Sequence, residues 1–188
     1  MARRGTLILV VGASGAGKDS LLAGARQALG LASGFIFPRR EVTRPAALAG
    51  EDHVAIDHAT FAARDAAGNY ALSWRAHGLG YGIPRGIDSD LGHGRLVVVN
   101  VSRGVLDTAR ARYRPLVVIN VEVPAAILAE RLAGRGRETA EEIAGRLARA
   151  AAFTVEGSDV IGFRNDRPLP EATAAFVTCL GAFQPPKG

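Results

Sequence analysis

Nine consecutive residues carry the most chemistry in this chain: Gly12-Ala13-Ser14-Gly15-Ala16-Gly17-Lys18-Asp19-Ser20. Glycines here let the backbone turn tightly with its N–H groups facing inward, because no Cβ obstructs the curve. Such inward N–H groups cradle phosphate oxygens, and a helix starting behind them adds the positive end of its dipole. Lys18 reaches the outer phosphates of a nucleotide as a compact charge. The chain holds 23 Lys and Arg, yet its only lysines are Lys18 and Lys187. It keeps an ammonium where a planar guanidinium suits the loop less well. The residue after such a lysine is usually Ser or Thr, whose hydroxyl holds Mg²⁺. Here it is Asp19, followed by Ser20. Both offer hard oxygen ligands, so these two are the expected Mg²⁺-holding residues, directly or through water. The whole loop is read as the binding site for ATP.

Arginines form two further groups. Arg131, Arg135, Arg137, Arg146 and Arg149 surround the break Gly134-Arg135-Gly136-Arg137. Phosphoryl transfer needs cations on the moving group, and a well-placed arginine supplies roughly 10³–10⁵ in rate. Arg135 and Arg137 are therefore expected to be catalytic, on a lid spanning about 133–142. The second group is Arg39, Arg40 and Arg44, followed by Glu51, Asp52 and His53. Guanidinium forks suit a substrate phosphate. His77 and Tyr81 lie in a stretch read as a glycine-rich loop, His77–Pro84, where polar tips can approach ligand oxygens. Asn100-Val101-Ser102-Arg103 follows an apolar run, at the kind of strand end where open α/β sheets bind ligands. No His/Cys/Glu spacing suggests zinc, and Gly-x-Ser-x-Gly does not occur.

The elements that must position these groups alternate. Leu7–Val11, Leu96–Val101 and Leu116–Val121 are continuous apolar runs, as expected of parallel strands covered on both faces. Helical spacing follows the glycine loop through Leu21, Leu22, Ala25 and Leu29. Asp57 and Ser102 are expected helix caps, and Pro124 a helix start. Thr139 and Glu142 fit a capping box. A last strand at Val160–Phe163 and a helix carrying Ala172, Phe176 and Cys179 complete the pattern. Strands alternating with helices predict a three-layer α/β fold of the P-loop NTPase type, with a parallel central sheet. Residues of about 35–85 read as a small acceptor-binding insert within a single domain, 1–188.

Composition narrows the class. Apolar content is 48% and charged content 22%, as in an ordinary soluble domain. The net charge of +5 suits polyanionic substrates. Aromatics at 6% are few for stacking nucleic acid, so no nucleic-acid partner is expected. The short apolar run after Met-Ala-Arg-Arg flows into the glycine loop and does not make a signal peptide. No membrane association and a cytoplasmic location are expected. The lone Cys179 allows no internal disulfide.

Together these residues resemble the guanylate-kinase-like group of small P-loop kinases. The glycine loop, Thr43-Arg44, Gly50-Glu51, His77-Gly78, Tyr81-Gly82, Arg131 with Gly134–Arg137, and Asn165-Asp166 fall in that group's order. The resemblance implies that Arg40, Arg44, His53 and Tyr81 grip an acceptor phosphate, with Glu51, His77, Asn100 and Arg103 nearby. It implies that Arg135, Arg137 and Arg146 meet the ATP phosphates, and that Asn165 lies near adenine; Arg131, just before this lid, is expected to bind the nucleotide as well. The group's guanine-reading carboxylate aligns with Leu72 here, and its acidic strand end with Asn100. A site built to hydrogen-bond a base does not lose that partner cheaply. Gly-Lys-Asp-Ser-Leu-Leu, Trp74-x-Ala76-His77-Gly78-Leu79-x-Tyr81-Gly82-Ile83-Pro84 and Asn100-Val101-Ser102-Arg103 are similar to the ribose 1,5-bisphosphate phosphokinase branch. That resemblance implies transfer of the γ-phosphate of ATP to a phosphorylated sugar, giving 5-phosphoribosyl 1-diphosphate in phosphonate metabolism. The residues alone leave open a nucleoside monophosphate kinase, another sugar kinase and a phosphopeptide-binding module.

Overall fold

A computed structural model describes residues 4–30, 34–44, 52–134, 139–152 and 154–184. Its centre is β1 (Leu7–Gly12), flanked by β7 (Leu96–Asn100) and β8 (Leu116–Glu122). With β2 (Phe35–Ile36) and β9 (Val160–Arg164) they form a parallel sheet in the order β2-β7-β1-β8-β9. Alternate side chains of β1 feed two separate cores. Leu7, Leu9 and Val11 join Val97, Val99 and Val118 on one face. That face is covered by α3 (Ile87–Gly92) and α4 (Leu106–Arg112), through Ile87, Leu91, Leu106 and Ala109. Ile8 and Val10 join Val98, Ile119 and Val121 on the other. Leu21 and Ala25 of α1 (Lys18–Leu29) and Phe176 and Leu180 of α7 (Leu169–Gly181) cover it. Each fully buried aliphatic side chain contributes roughly 1.5–3 kcal/mol. The unbroken apolar runs are thus explained: both faces of the central strands β1 and β7 are buried.

A second, smaller sheet has the order β4-β3-β6-β5. It comprises β3 (Arg40–Val42), β4 (His53–Ala55), β5 (Tyr70–Ala76) and β6 (Leu79–Pro84), with α2 (His58–Ala66) beside it. Asp57 caps α2 by accepting from the Thr60 N–H at 2.6 Å. Phe35–Ile36, expected to begin the insert, instead pairs with Leu96 and Val97 at the edge of the large sheet. The reason is packing: Phe35 is buried in the α1/α7 core.

The expected glycine-rich loop His77–Pro84 is also corrected. Only His77 (φ 52°) and Gly78 (φ 75°) turn the chain, as a two-residue hairpin, and Leu79–Pro84 continues as β6. Its glycines make room for rings rather than flexibility. A Cβ on Gly80 would lie 2.8 Å from the Phe61 ring, and one on Gly82 2.3 Å from the Tyr70 ring.

The remaining helices are α5 (Ala125–Ala133), entered through Pro124, and α6 (Ala140–Ala151). Thr139 and Glu142 close the capping box on α6. Among the described residues, no helix is long and apolar enough to cross a membrane.

Candidate active site

The parallel register brings the carboxyl ends of the strands to one edge: Val10 lies beside Asn100, Gly12 beside Val121, and Glu122 beside Arg164. The glycine loop leaves β1 there. Gly15 (φ 91°) and Gly17 (φ 84°) adopt the left-handed conformation that the turn requires. A Cβ on Gly15 would sit 3.0 Å from Leu132 and 3.2 Å from Leu128, so α5 packs directly against the loop. Gly17 caps α1 without a side-chain bond, which leaves the first N–H groups of the helix facing the loop. Lys18 curls over this turn, and its Nζ donates to the carbonyls of Gly12 at 2.9 Å and Ala13 at 2.8 Å.

Two side chains from distant segments bond to the loop, and a third lies beside it. Asn165, just beyond β9, is buried and donates from Nδ2 to the Ala16 carbonyl at 2.7 Å. Its own N–H donates to the Glu122 carbonyl at 2.8 Å. The structure therefore gives Asn165 a contact with the loop's own backbone. Arg146 of α6 donates from Nη1 to Ser14 Oγ at 3.2 Å. Arg131 of α5 brings Nη1 to 3.7 Å from the point where a Gly17 Cβ would stand.

On the other flank, Asp19 lies in the first turn of α1, where the helix dipole favours a carboxylate. Its Oδ1 accepts from Asn100 Nδ2 at 2.7 Å and from Arg40 Nη2 at 3.2 Å. Arg40 Nη1 also approaches the Asn100 carbonyl at 3.4 Å. Three expected site residues from α1, β3 and β7 thus meet at one carboxylate. Ser20, by contrast, is exposed on α1. Asp19 is the better placed of the two for a cation: its carboxylate retains lone pairs beyond those used by Asn100 and Arg40, and a cation held through one carboxylate plus substrate phosphates is the usual arrangement for Mg²⁺. Among the described residues no cluster of three or more His, Cys, Asp or Glu forms a dedicated metal cage.

The remaining expected residues are distributed unevenly. Tyr81 of β6 stacks on Trp74 of β5 with centroids 5.2 Å apart and planes 1° from parallel. Leu72 and Ile83 share their strand face and are buried in the core. His53 is 2% exposed, with Nε2 3.2 Å from the Arg44 carbonyl, so it ties β4 to the end of β3 rather than facing solvent. His77 stands exposed at the hairpin tip. Arg103 lies in the turn after β7, where burial pulls its guanidinium pKa down. Glu51, Arg135 and Arg137 lie outside the described residues.

One feature escaped the sequence reasoning. Asp52 pairs with Arg26 of α1 and with Arg39 Nε at 2.6 Å, and both guanidiniums hold its carboxyl below the usual range. Arg26 and Asp52 line the same cleft as Asp19, Arg40 and Asn100. The seven-residue spacing of Asp19 and Arg26, two helical turns, was the available signal.

No protein-family model matches the sequence. Among solved structures, the fold is similar to guanylate kinase from Anaplasma phagocytophilum, with a TM-score of 0.63 at 18% identity over 97% of this chain and 87% of that one. Curated relatives are much nearer in sequence. Ribose 1,5-bisphosphate phosphokinase PhnN of Acidiphilium cryptum is 52% identical over 180 residues, 96% of this chain and 94% of its own length. The protein of the same name from Desulfomicrobium baculatum is 47% identical over 170 residues, 90% of this chain and 91% of its own length. A bifunctional ribose 1,5-bisphosphokinase-thymidine phosphorylase of Cupriavidus necator is 44% identical over 96% of this chain, which spans 30% of that protein. A P-loop with a lysine, an arginine-bearing second sheet and near full-length identity of this order lead to one assignment: the chain belongs to the ribose 1,5-bisphosphate phosphokinase family.

Proposed function

We propose that this chain transfers the γ-phosphate of ATP to the 1-phosphate of ribose 1,5-bisphosphate, releasing ADP and 5-phosphoribosyl 1-diphosphate. The single observation that carries the reading is the meeting of the glycine loop with Arg40 of the second sheet, through Asp19. It sets a nucleotide cradle beside a cation suited to a second anion.

The acceptor is already an anion, so its oxygen needs no strong base to attack the γ-phosphorus. The bond to the leaving ADP breaks as the new one forms. The obstacle is repulsion between two polyanions, and positioning and charge neutralisation carry the catalysis. Lys18 and the loop N–H groups hold the ATP phosphates, with Arg131 and Arg146 at their flank. Arg40, Arg44 and Tyr81 hold the acceptor. Mg²⁺ would be held by Asp19, directly or through water, with Ser20 in support, and would supply neutralisation of phosphate charge. Arg135 and Arg137 would close on the transferring group from a lid of about 133–142, as the resemblance implies. Leu72, buried where a base-reading acid would be needed, supports an acceptor without a base. A cytoplasmic setting suits a pool of ATP and sugar phosphates.

The test is a coupled ADP-release assay across ribose 1,5-bisphosphate, ribose 5-phosphate, gluconate and GMP. Turnover is expected with the first. Efficient turnover of GMP in its place would overturn the reading.

A further inference from the structure

The carboxylate of Asp19 does more than face the nucleotide. Its Oδ1 is the point at which α1, β3 and β7 meet, accepting from Arg40 at 3.2 Å and Asn100 at 2.7 Å. Arg40 is the first residue of the second sheet, and its side chain is only 11% exposed. A guanidinium so largely buried needs an oriented acceptor, and a carboxylate supplies one with both charge and direction. Ser or Thr at position 19, the usual choice, offers a hydroxyl that cannot form an ion pair. The identity of Asn100 follows from the same contact. An ionised acid there would face the Asp19 oxygen acceptor to acceptor, with no hydrogen to share across 2.7 Å. An amide supplies the missing donor.

The geometry points to Asp19 as a positioning residue for the acceptor: it aims Arg40 at the anionic sugar phosphate, and Asp19, Arg40 and Asn100 act as one specificity unit. The inference rests on the proposed acceptor role of Arg40, and goes beyond it by giving Asp19 a second duty, toward the acceptor as well as the metal. It also ties the nucleotide loop to the acceptor sheet through one ion pair.

Asp19→Ser separates the two duties. It installs the hydroxyl that ordinarily holds Mg²⁺ and removes the anchor of Arg40. The KM for ribose 1,5-bisphosphate is expected to rise about tenfold to a hundredfold, the size of a lost charge-assisted hydrogen bond. Affinity for ATP with Mg²⁺, measured by calorimetry without acceptor, and the half-saturating Mg²⁺ concentration are expected to change by a clearly smaller factor than the acceptor KM, because the new hydroxyl is itself a usual Mg²⁺ ligand. Asp19→Asn keeps an acceptor oxygen for Arg40, so it is expected to restore part of the lost acceptor affinity. It also serves as the working variant if the serine form melts early. Combining Asp19→Ser with Arg40→Lys is expected to cost little more than the larger single change, because both break one contact.

Wild-type turnover with an unchanged acceptor KM in Asp19→Ser overturns the inference. So does a parallel fall in ATP affinity and Mg²⁺ response, or two changes that simply multiply. Absence of wild-type turnover on ribose 1,5-bisphosphate is a different result, and overturns the proposed function itself.

Discussion

Asn165→Ala distinguishes a brace for the glycine loop from a contact with adenine. The Asn165 side chain is buried, and its amide is the hydrogen-bond donor to the Ala16 carbonyl at 2.7 Å. Ala16 is itself fully buried. Truncation therefore strands a buried carbonyl, at a cost of about 1–3 kcal/mol. In a chain of 188 residues, each kcal/mol lowers the melting temperature by about 2–4 °C. The nucleotide-free protein is thus expected to melt roughly 2–12 °C lower, and to bind ATP less tightly because the turn at Ala16 and Gly17, where Asn165 Nδ2 would lie 2.8 Å from a Gly17 Cβ, loses its support. Differential scanning fluorimetry, without ligand and then across an ATP titration, reads both quantities. A nucleotide-free melting point within about 1 °C of wild type, with ATP affinity alone reduced, would refute the bracing argument.

Lys18→Ala is expected to lower kcat by at least about a hundredfold, because it removes the ammonium that lies over the glycine loop; wild-type-like turnover in purified protein would remove Lys18 from the mechanism. Leu72→Glu buries a carboxylate in the core shared with Val97 and Ile83, so a marked loss of stability is expected and no efficient GMP phosphorylation; a stable variant active on GMP contradicts the view of this sheet face. Asp159 is held below its ordinary carboxylate pKa by the Arg110 guanidinium, which reaches it at 2.9 and 3.0 Å. Its stabilisation is therefore present above the unfolded carboxylate range near pH 4 and is lost as acid carries the pH through the lower folded value. Asp159→Asn should accordingly lower stability at pH 7 and flatten the acid limb, and a curve parallel to wild type across that range speaks against the pairing.

The central sheet was legible because its strands are apolar on consecutive positions, and only burial on both faces sustains that pattern. The glycine loop and the caps at Asp57 and Thr139 were legible because each is a local bond between near neighbours in sequence. The second sheet was harder. Gly80 and Gly82 looked like a loop, because nothing nearby in the chain announces that Phe61 and Tyr70 will lie over them. The same limit hid the duties of His53 and Asn165. A buried histidine on the Arg44 carbonyl and an amide on the Ala16 carbonyl are contacts made only after folding. Arg40 was singled out for its charge, but its partner Asp19 was read for metal alone, since their separation of 21 residues carries no periodic signal.

The most direct measurement follows the products of the wild-type protein by phosphorus NMR, with ATP, Mg²⁺ and ribose 1,5-bisphosphate supplied together. The account requires ADP and the diphosphate signals of 5-phosphoribosyl 1-diphosphate to grow in equal amounts, with Lys18→Ala and Mg²⁺-free controls silent. ADP growing with inorganic phosphate alone, or faster growth with GMP as acceptor, would contradict it.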